Sequence, residues 1–249
     1  MTIKLWTKAL NFLENERDIS ELKVLIETVK KLKTIAMKVK SFTFNQFQEN
    51  TFVVYDNTKD CLIIDPGCYS ENERTELRTF IMSEGLKPVK LINTHCHIDH
   101  VLGNKFVSEL WDLELYIHKE DLPVLENVKD ISGFFGFENY ERSPSPKHFL
   151  AQGDTLNFGD SSFDILFTPG HAPGHVVFIA KEEKFVVNGD CLFYGSIGRT
   201  DLPGGDHATL LESIRQQLFT LPDDFVVYCG HGPETQIGFE KQNNPFLNS

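Results

Sequence analysis

The sequence predicts a layered α/β fold in which two sheets pack face to face with helices outside. Three observations point there. From Met37 onward short β-rich runs dominate, single helical segments break them, and no linker divides the stretch. Elements that alternate in this way bury their strands between layers of helix. With 249 residues, 41% of them hydrophobic, the chain can fill one substantial core.

Residues 1–36 read differently from the rest. "DISE", Asp18 to Glu21, is a capping box, and Leu22, Leu25, Ile26, Val29, Leu32 and Ile35 follow at helical spacing. The segment carries seven basic side chains against five acidic ones. It is read as a helical extension of the body or an initiation codon placed too early. A dimerisation helix, and with it a homo-oligomer, is the sharper alternative. Next come the strands "VKSFTF", "TFVVYD" and "CLIID", the last two joined by the turn "NTKD". "ENERTELRTFIMSEG" reads as a helix ending on Gly85. "VKLIN" is a short apolar strand and "NKFVSELWD" a second helix. Beyond the Pro-rich "RSPSPKH", strands resume with "SFDILFT", "HVVFIA" and "KFVVNGD". A helix over "HATLLESIRQQLF" and a last strand, "DFVVYCG", complete the series.

The formal charge of −12 argues against a nucleic-acid partner, because phosphate binding rests on lysine and arginine displacing counterions. No run approaches the roughly 18 to 20 apolar residues of a membrane span, and the charged N-terminus lacks a secretory signal. A cytoplasmic protein with no membrane partner is expected. The five cysteines form no CxxC pair and read as reduced thiols.

Chemistry concentrates at the strand ends. "VKLIN" leads to His95, His97, Asp99 and His100, so three of the nine histidines fall within one hexapeptide. "DILFTPG" leads to His171, "KFVVNG" to Asp190 and "FVVYCG" to His231. An apolar strand, a Gly or Pro, then a metal-competent side chain is a pattern that gathers ligands on one sheet edge. Imidazole and carboxylate together suit zinc, iron or manganese. "TPGHAPGH" holds two histidines, and spacing alone does not choose between His171 and His175. His118 and His207 are read as structural, and His148 as solvated in the Pro-rich loop. No GxSxG elbow offers a serine nucleophile.

"THCHIDH" resembles the HxHxDH signature of the metallo-β-lactamase fold superfamily, and "IIDPG", "TPGHAPGH", "NGDCLF" and "CGHGPET" resemble its other motifs in order. The resemblance covers Met37 to the C-terminus, which is read as residues 37–249 forming the hydrolase domain. "GSIGRTDLPGGD" and the ending "CGHGPETQIGFEKQNNPFL" are most similar to the short glyoxalase II-like hydrolases. The resemblance implies a four-layer αβ/βα sandwich and two divalent metal ions, zinc being the first expectation. It places one metal on His95, His97 and His171, and the other on Asp99, His100 and His231, with Asp190 bridging. Asp65 is expected to fix a ligand imidazole by hydrogen bonding.

The implied activity is hydrolysis of a small-molecule thioester, such as a hydroxyacyl-glutathione, by a metal-held hydroxide, with Asp99 and Asp190 as catalytic residues. Full-length relatives carry a helical C-terminal domain that helps bind glutathione, whereas 18 residues follow His231 here. Recognition is therefore expected from loops on the body. Arg199 is a candidate for a substrate carboxylate, the alternative being a loop-pinning pair with Asp201. "ISGFFGFENYERSPSPKH" is a candidate lid, with Phe134, Phe135, Phe137 and Tyr140 facing substrate. Cys96, Cys191 and Cys229 are expected to pack. A rival reading is a persulfide dioxygenase-like oxygenase with one iron on His95, His171 and Asp190. The His175 position, where that group has Cys, and the "GHGPET" ending favour the hydrolase.

Overall fold

The computed structural model describes residues 37–248 together with Lys23. The expected helix over residues 1–36, with its Asp18 cap, lies outside the described residues.

The first sheet runs in chain order: β1 (Lys38–Phe44), β2 (Glu49–Tyr55), β3 (Asp60–Ile64), β4 (Lys87–Ile92), β5 (Leu115–His118) and β6 (His148–Leu150). Its first three strands are antiparallel and β3 to β6 are parallel. The parallel steps need crossovers, and helices supply them: α1 (Glu71–Ser83), α2 (Ile98–Val101), α3 (Asn104–Trp111) and α4 (Leu122–Ile131). The second sheet contains β7 (Thr155–Phe158), β8 (Ser161–Phe167), β9 (Val176–Ala180) and β10 (Phe185–Gly189). A small hairpin, β11 (Leu192–Phe193) with β12 (Ser196–Ile197), precedes α5 (His207–Gln216). The chain then adds β13 (Val226–Cys229), β14 (Thr235–Gln236) and α6 (Ile237–Asn243), giving the order β14-β13-β10-β9-β8-β7.

Alternate residues of each central strand point to opposite faces, and both faces are buried, so the strands are apolar throughout. Phe52, Val54, Leu62 and Ile64 of the first sheet meet Phe163, Ile165, Phe178 and Val187 of the second. Their neighbours Val53 and Ile63 turn outward against Leu77 and Ile81 of α1 and Val128 of α4. On the far side, Val177, Ile179 and Val227 pack under Leu210 and Ile214 of α5. The result is the expected four-layer αβ/βα sandwich.

Helix α1 opens on a capping box. The Ser70 hydroxyl accepts from the Glu73 amide while Glu73 accepts from the Ser70 amide. It ends at Ser83, two residues before Gly85, whose φ is +63°. One expectation is corrected. His148 opens β6 and does not lie in the Pro-rich loop; it stacks on Tyr116 at 4.1 Å and places Nε2 2.6 Å from Glu114, with 41% of its side chain still exposed. Among the described residues no helix is long and apolar enough to cross a membrane.

Candidate metal centre

Strand β4 ends at Ile92, and the chain turns through Asn93 and Thr94 into His95. His97 is the extended residue that caps α2, and that one-turn helix carries Asp99 and His100. Turn, cap and helix therefore aim the side chains of one hexapeptide at a common point, which neither a regular helix nor a strand does. The other ligand candidates arrive from the second sheet. His171 stands in the loop between β8 and β9, Asp190 directly after β10, and His231 two residues beyond β13. Glycines make the close approaches. A Cβ at Gly230 would lie 2.1 Å from Asp190 Oδ1, and one at Gly170, where φ is +125°, would lie 2.3 Å from the Leu210 nitrogen.

The side chains form two groups. His95, His97 and His171 offer nitrogen atoms within 4.8 Å of one another, and so do the ligand atoms of Asp99, His100 and His231. Asp190 touches both groups. Its Oδ2 is 3.5 Å from His171 Nε2 and 3.4 Å from His231 Nε2, and its Oδ1 is 3.5 Å from His100 Nε2.

The imidazole tautomers follow from their outer partners. His171 Nδ1 donates to the Arg199 carbonyl at 2.7 Å and His231 Nδ1 to the Phe47 carbonyl at 3.0 Å. His100 Nδ1 donates to Asp65 Oδ2 at 3.1 Å. Thr94 Oγ1 gives its own proton to Asp65 Oδ2, so at 3.0 Å it accepts from His95 Nδ1. All four rings thus engage Nδ1 outward and turn Nε2 inward, and His97 presents Nδ1 2.9 Å from His171 Nε2. His95 Nε2 and His171 Nε2 face each other at 3.2 Å as two lone pairs with no proton between them. His100 Nε2 and Asp190 Oδ1 are buried with no hydrogen-bond partner. A constellation of converging lone pairs and orphaned acceptors fits a divalent cation.

The electrostatics agree. Burial, then the neighbouring rings, hold His95 well below its ordinary pKa, and burial brings His97 down to about 3. These rings are neutral and able to ligate. Around the second group burial works the same way, but carboxylates outweigh it. Asp190 and Asp99 raise His100 well above its usual range and His231 to about 10. That half of the site already attracts positive charge.

Asp65, at φ +50°, accepts from the Thr94 amide, the Thr94 hydroxyl and His100, which is the orienting place expected of it. His175 faces away from the ligand groups' shared point. Its Nδ1 donates to Thr168 Oγ1, and its Nε2 accepts the Asp190 amide at 3.0 Å. Two residues escaped the sequence reading. Asp121 accepts from the Cys96 amide at 2.6 Å and the Gly174 amide at 2.5 Å. It so ties the His95–His97 turn to the His171 loop, and burial raises its carboxyl to about 6. Glu49 is fully buried 3.9 Å from His100, and burial holds its carboxyl well above the ordinary range. The capping position of Asp121 before α4 was the one signal available for it.

A cleft of about 1120 Å³ opens over the site. Arg199 lines it, but its Nε and Nη2 each donate to Asp201 at 2.7 Å, the loop-pinning arrangement. Of the expected lid aromatics only Phe135 lines the cleft. Phe134 points to solvent, 90% exposed. Tyr140 and Phe137 are core residues, and the Tyr140 hydroxyl lies 3.0 Å from Ser143 Oγ. The reason is the short 3₁₀ turn over Ser132–Phe135 and the left-handed Gly136 that ends it, which direct consecutive rings apart. All five cysteines are free and buried, as packing requires.

Comparison with known proteins agrees with this arrangement. The description "Metallo-beta-lactamase superfamily" belongs to the profile that matches residues 44–231. The probable metallo-hydrolase YqgX of Bacillus subtilis is 38% identical over 213 residues, which is 85% of this chain and 98% of the relative. The hydroxyacylglutathione hydrolase GloC of Haemophilus influenzae is 39% identical over 218 residues, 86% of this chain and 99% of the relative. The crystal structure of TTHA1623 in a di-iron-bound form superposes with a TM-score of 0.76 at 38% identity, covering 84% of this chain and all of that one. The match runs from the last residue of β1 through the last candidate ligand and takes in β2 to β13 and both ligand groups, and the chain accordingly belongs to the metallo-beta-lactamase superfamily.

Proposed function

We propose that the protein is a metal-dependent hydrolase that cleaves a small-molecule thioester at a dinuclear site. One observation carries the reading: the Asp190 carboxylate stands between two complete ligand groups, within 3.5 Å of a nitrogen in each. His95, His97 and His171 would hold one ion, Asp99, His100 and His231 the other, and Asp190 both. Zinc, iron and manganese all suit this donor set.

Such ions would lower the pKa of the water they hold to about 7 and would polarise a carbonyl. The protein's own groups do the rest. Asp99 faces the cleft, with Oδ2 3.1 Å from His231 Nε2, and is placed to take the proton of the attacking water. Asn45 Nδ2 donates to the Asp99 carbonyl at 3.1 Å and fixes that turn. Asp65 and the Arg199 and Phe47 carbonyls keep the imidazole lone pairs turned inward. No cysteine competes as nucleophile, because burial pushes the described thiols up, Cys61 to about 12.

The Haemophilus relative supports a hydroxyacyl-glutathione as the reference substrate. We take the setting to be cytoplasmic and the partner a small molecule, with no nucleic acid or membrane involved. A homo-oligomer belongs to the same reading only through residues 1–36. The one-iron oxygenase alternative uses His95, His171 and Asp190 alone and gives no role to the second ligand group.

Elemental analysis with a thioester-hydrolysis screen tests the proposal. Two metals per chain and thiol release are expected, and Asp190→Ala should lose both metal and turnover. One iron per chain with oxygen uptake on a persulfide would sink the hydrolase reading, and turnover retained in Asp190→Ala would refute the bridging role.

A further inference from the structure

The cleft is too large and too apolar for a short hydroxyacyl group alone. One wall is the exposed side of α4 and the turn after it, with Val124, Ile131 and Phe135. Facing it, the β1–β2 turn brings Phe47, whose ring meets Phe135 edge-on at 5.9 Å. Ile98 of α2 and Leu202 close the ends. Phe47 and Phe135 remain 39% and 38% exposed, although each is a large apolar side chain lining the same cleft as the candidate ligands. Apolar surface left uncovered in a concave site is what a ligand's apolar part covers.

Charge points the same way. Apart from the candidate ligand histidines, Arg199 is the only cationic side chain among the described residues lining the cleft, and Asp201 already holds it at two nitrogens. Glu120 also lines the cleft, and Lys119 Nζ lies 3.6 Å from its carboxylate. Glutathione carries two carboxylates, and the described walls pair them poorly: desolvating a carboxylate without a cation or a set of donors is unfavourable.

We infer that the cleft selects a thioester bearing an extended apolar group, with a neutral moiety on the other side of the sulfur, over a glutathione ester. The inference rests on the hydrolase reading for its reaction. Water's oxygen bonds to the carbonyl carbon and the C–S bond breaks. One hydrogen of the water leaves on the thiol and the other as the proton of the carboxylic acid.

The test uses the metal-loaded full chain and a series of N-acetylcysteamine thioesters from acetyl through butyryl and hexanoyl to octanoyl, beside S-lactoylglutathione. Burial of each added methylene predicts that kcat/KM rises by about fourfold per carbon until the wall is filled. The octanoyl ester should exceed the glutathione ester by at least about tenfold. Octyl thioacetate, with the chain on the thiol side, tells which half of the substrate the wall receives. Phe135→Ala and Ile131→Ala, checked for folding by thermal melts, should flatten the chain-length slope. A flat slope in the wild type, or faster turnover of S-lactoylglutathione, overturns the inference.

Binding of the matching non-hydrolysable thioethers, read by calorimetry, separates the cleft from the chemistry. If no thioester is cleaved yet thioether affinity climbs with chain length, the hydrolase reading falls and the cleft assignment stands. If affinity does not climb, the assignment falls whatever the turnover.

Discussion

Asp121 shows how much a candidate ligand set depends on groups outside it. Its two carboxylate oxygens each accept one backbone amide, that of Cys96 between two ligand histidines and that of Gly174 beyond a third. An asparagine there retains one acceptor and turns an NH₂ toward the other amide, leaving a buried donor unpaired. Asp121→Asn should therefore weaken metal binding about 10- to 100-fold, measured by competition with a chromophoric chelator. Unchanged affinity would show that the two loops hold themselves. The candidate ligands were legible in the sequence because HxHxDH packs its chemistry into one stretch. Asp121 and Glu49 were not, since neither stands in one of the metal-binding motifs. Their partners come from other strands, and only the folded chain shows that they are buried. Phe134 and Phe135 are adjacent in sequence, and the 3₁₀ turn at Ser132–Phe135 decides which of them faces the cleft.

The turn between β2 and β3 illustrates the same point for elements. "NTKD" announces a turn, and the residue before it, Asp56, does more than turn the chain. It accepts from the Thr58 amide and hydroxyl within its own turn, and from the Asp160 amide at 2.8 Å and Ser161 Oγ at 2.9 Å in the β7–β8 turn. Burial opposes ionisation there, but these hydrogen bonds outweigh it and hold the carboxyl below its ordinary pKa. In the unfolded chain the group takes up its proton at higher pH than in the folded one. Its contribution to stability is therefore complete above about pH 4 and is lost as pH falls through the folded value. Asp56→Asn should destabilise by about 1–3 kcal/mol at pH 7, with the gap to wild type narrowing in melts at pH 3. A constant gap would mean that the charge plays no part. Apolar strands such as "TFVVYD" and "KFVVNGD" were readable from composition. Strand β5 and helix α4 were not, because "LYIH" is short and Pro123 sits inside the helical run at its first turn.

The two sheets meet over a shared apolar layer, and the candidate ligands are divided between them. His95 to His100 belong to the first sheet, and His171, Asp190 and His231 to the second. Backbone bonds cross the same seam, from the Asn50 amide to the Gly230 carbonyl at 2.7 Å and from the Val176 amide to the Thr94 carbonyl at 2.9 Å. A cation bound here stabilises the joined sheets by mass action, by about 4 kcal/mol at a thousand times its dissociation constant. Chelation should lower Tm by several degrees, with zinc, iron or manganese restoring it. An unchanged melt after metal loss is verified would detach the site from the stability of the fold.

The division of ligands also sets an order of assembly. The chain reaches its first ligand at His95 and its last at His231, after β13. During synthesis His95, His97 and His171 are all made before Asp190, and the second group waits for His231, beyond β13. A nascent chain or proteolytic fragment ending before β13 thus holds at most one full group. Binding of the second ion would then report that both halves of the protein have been made and joined.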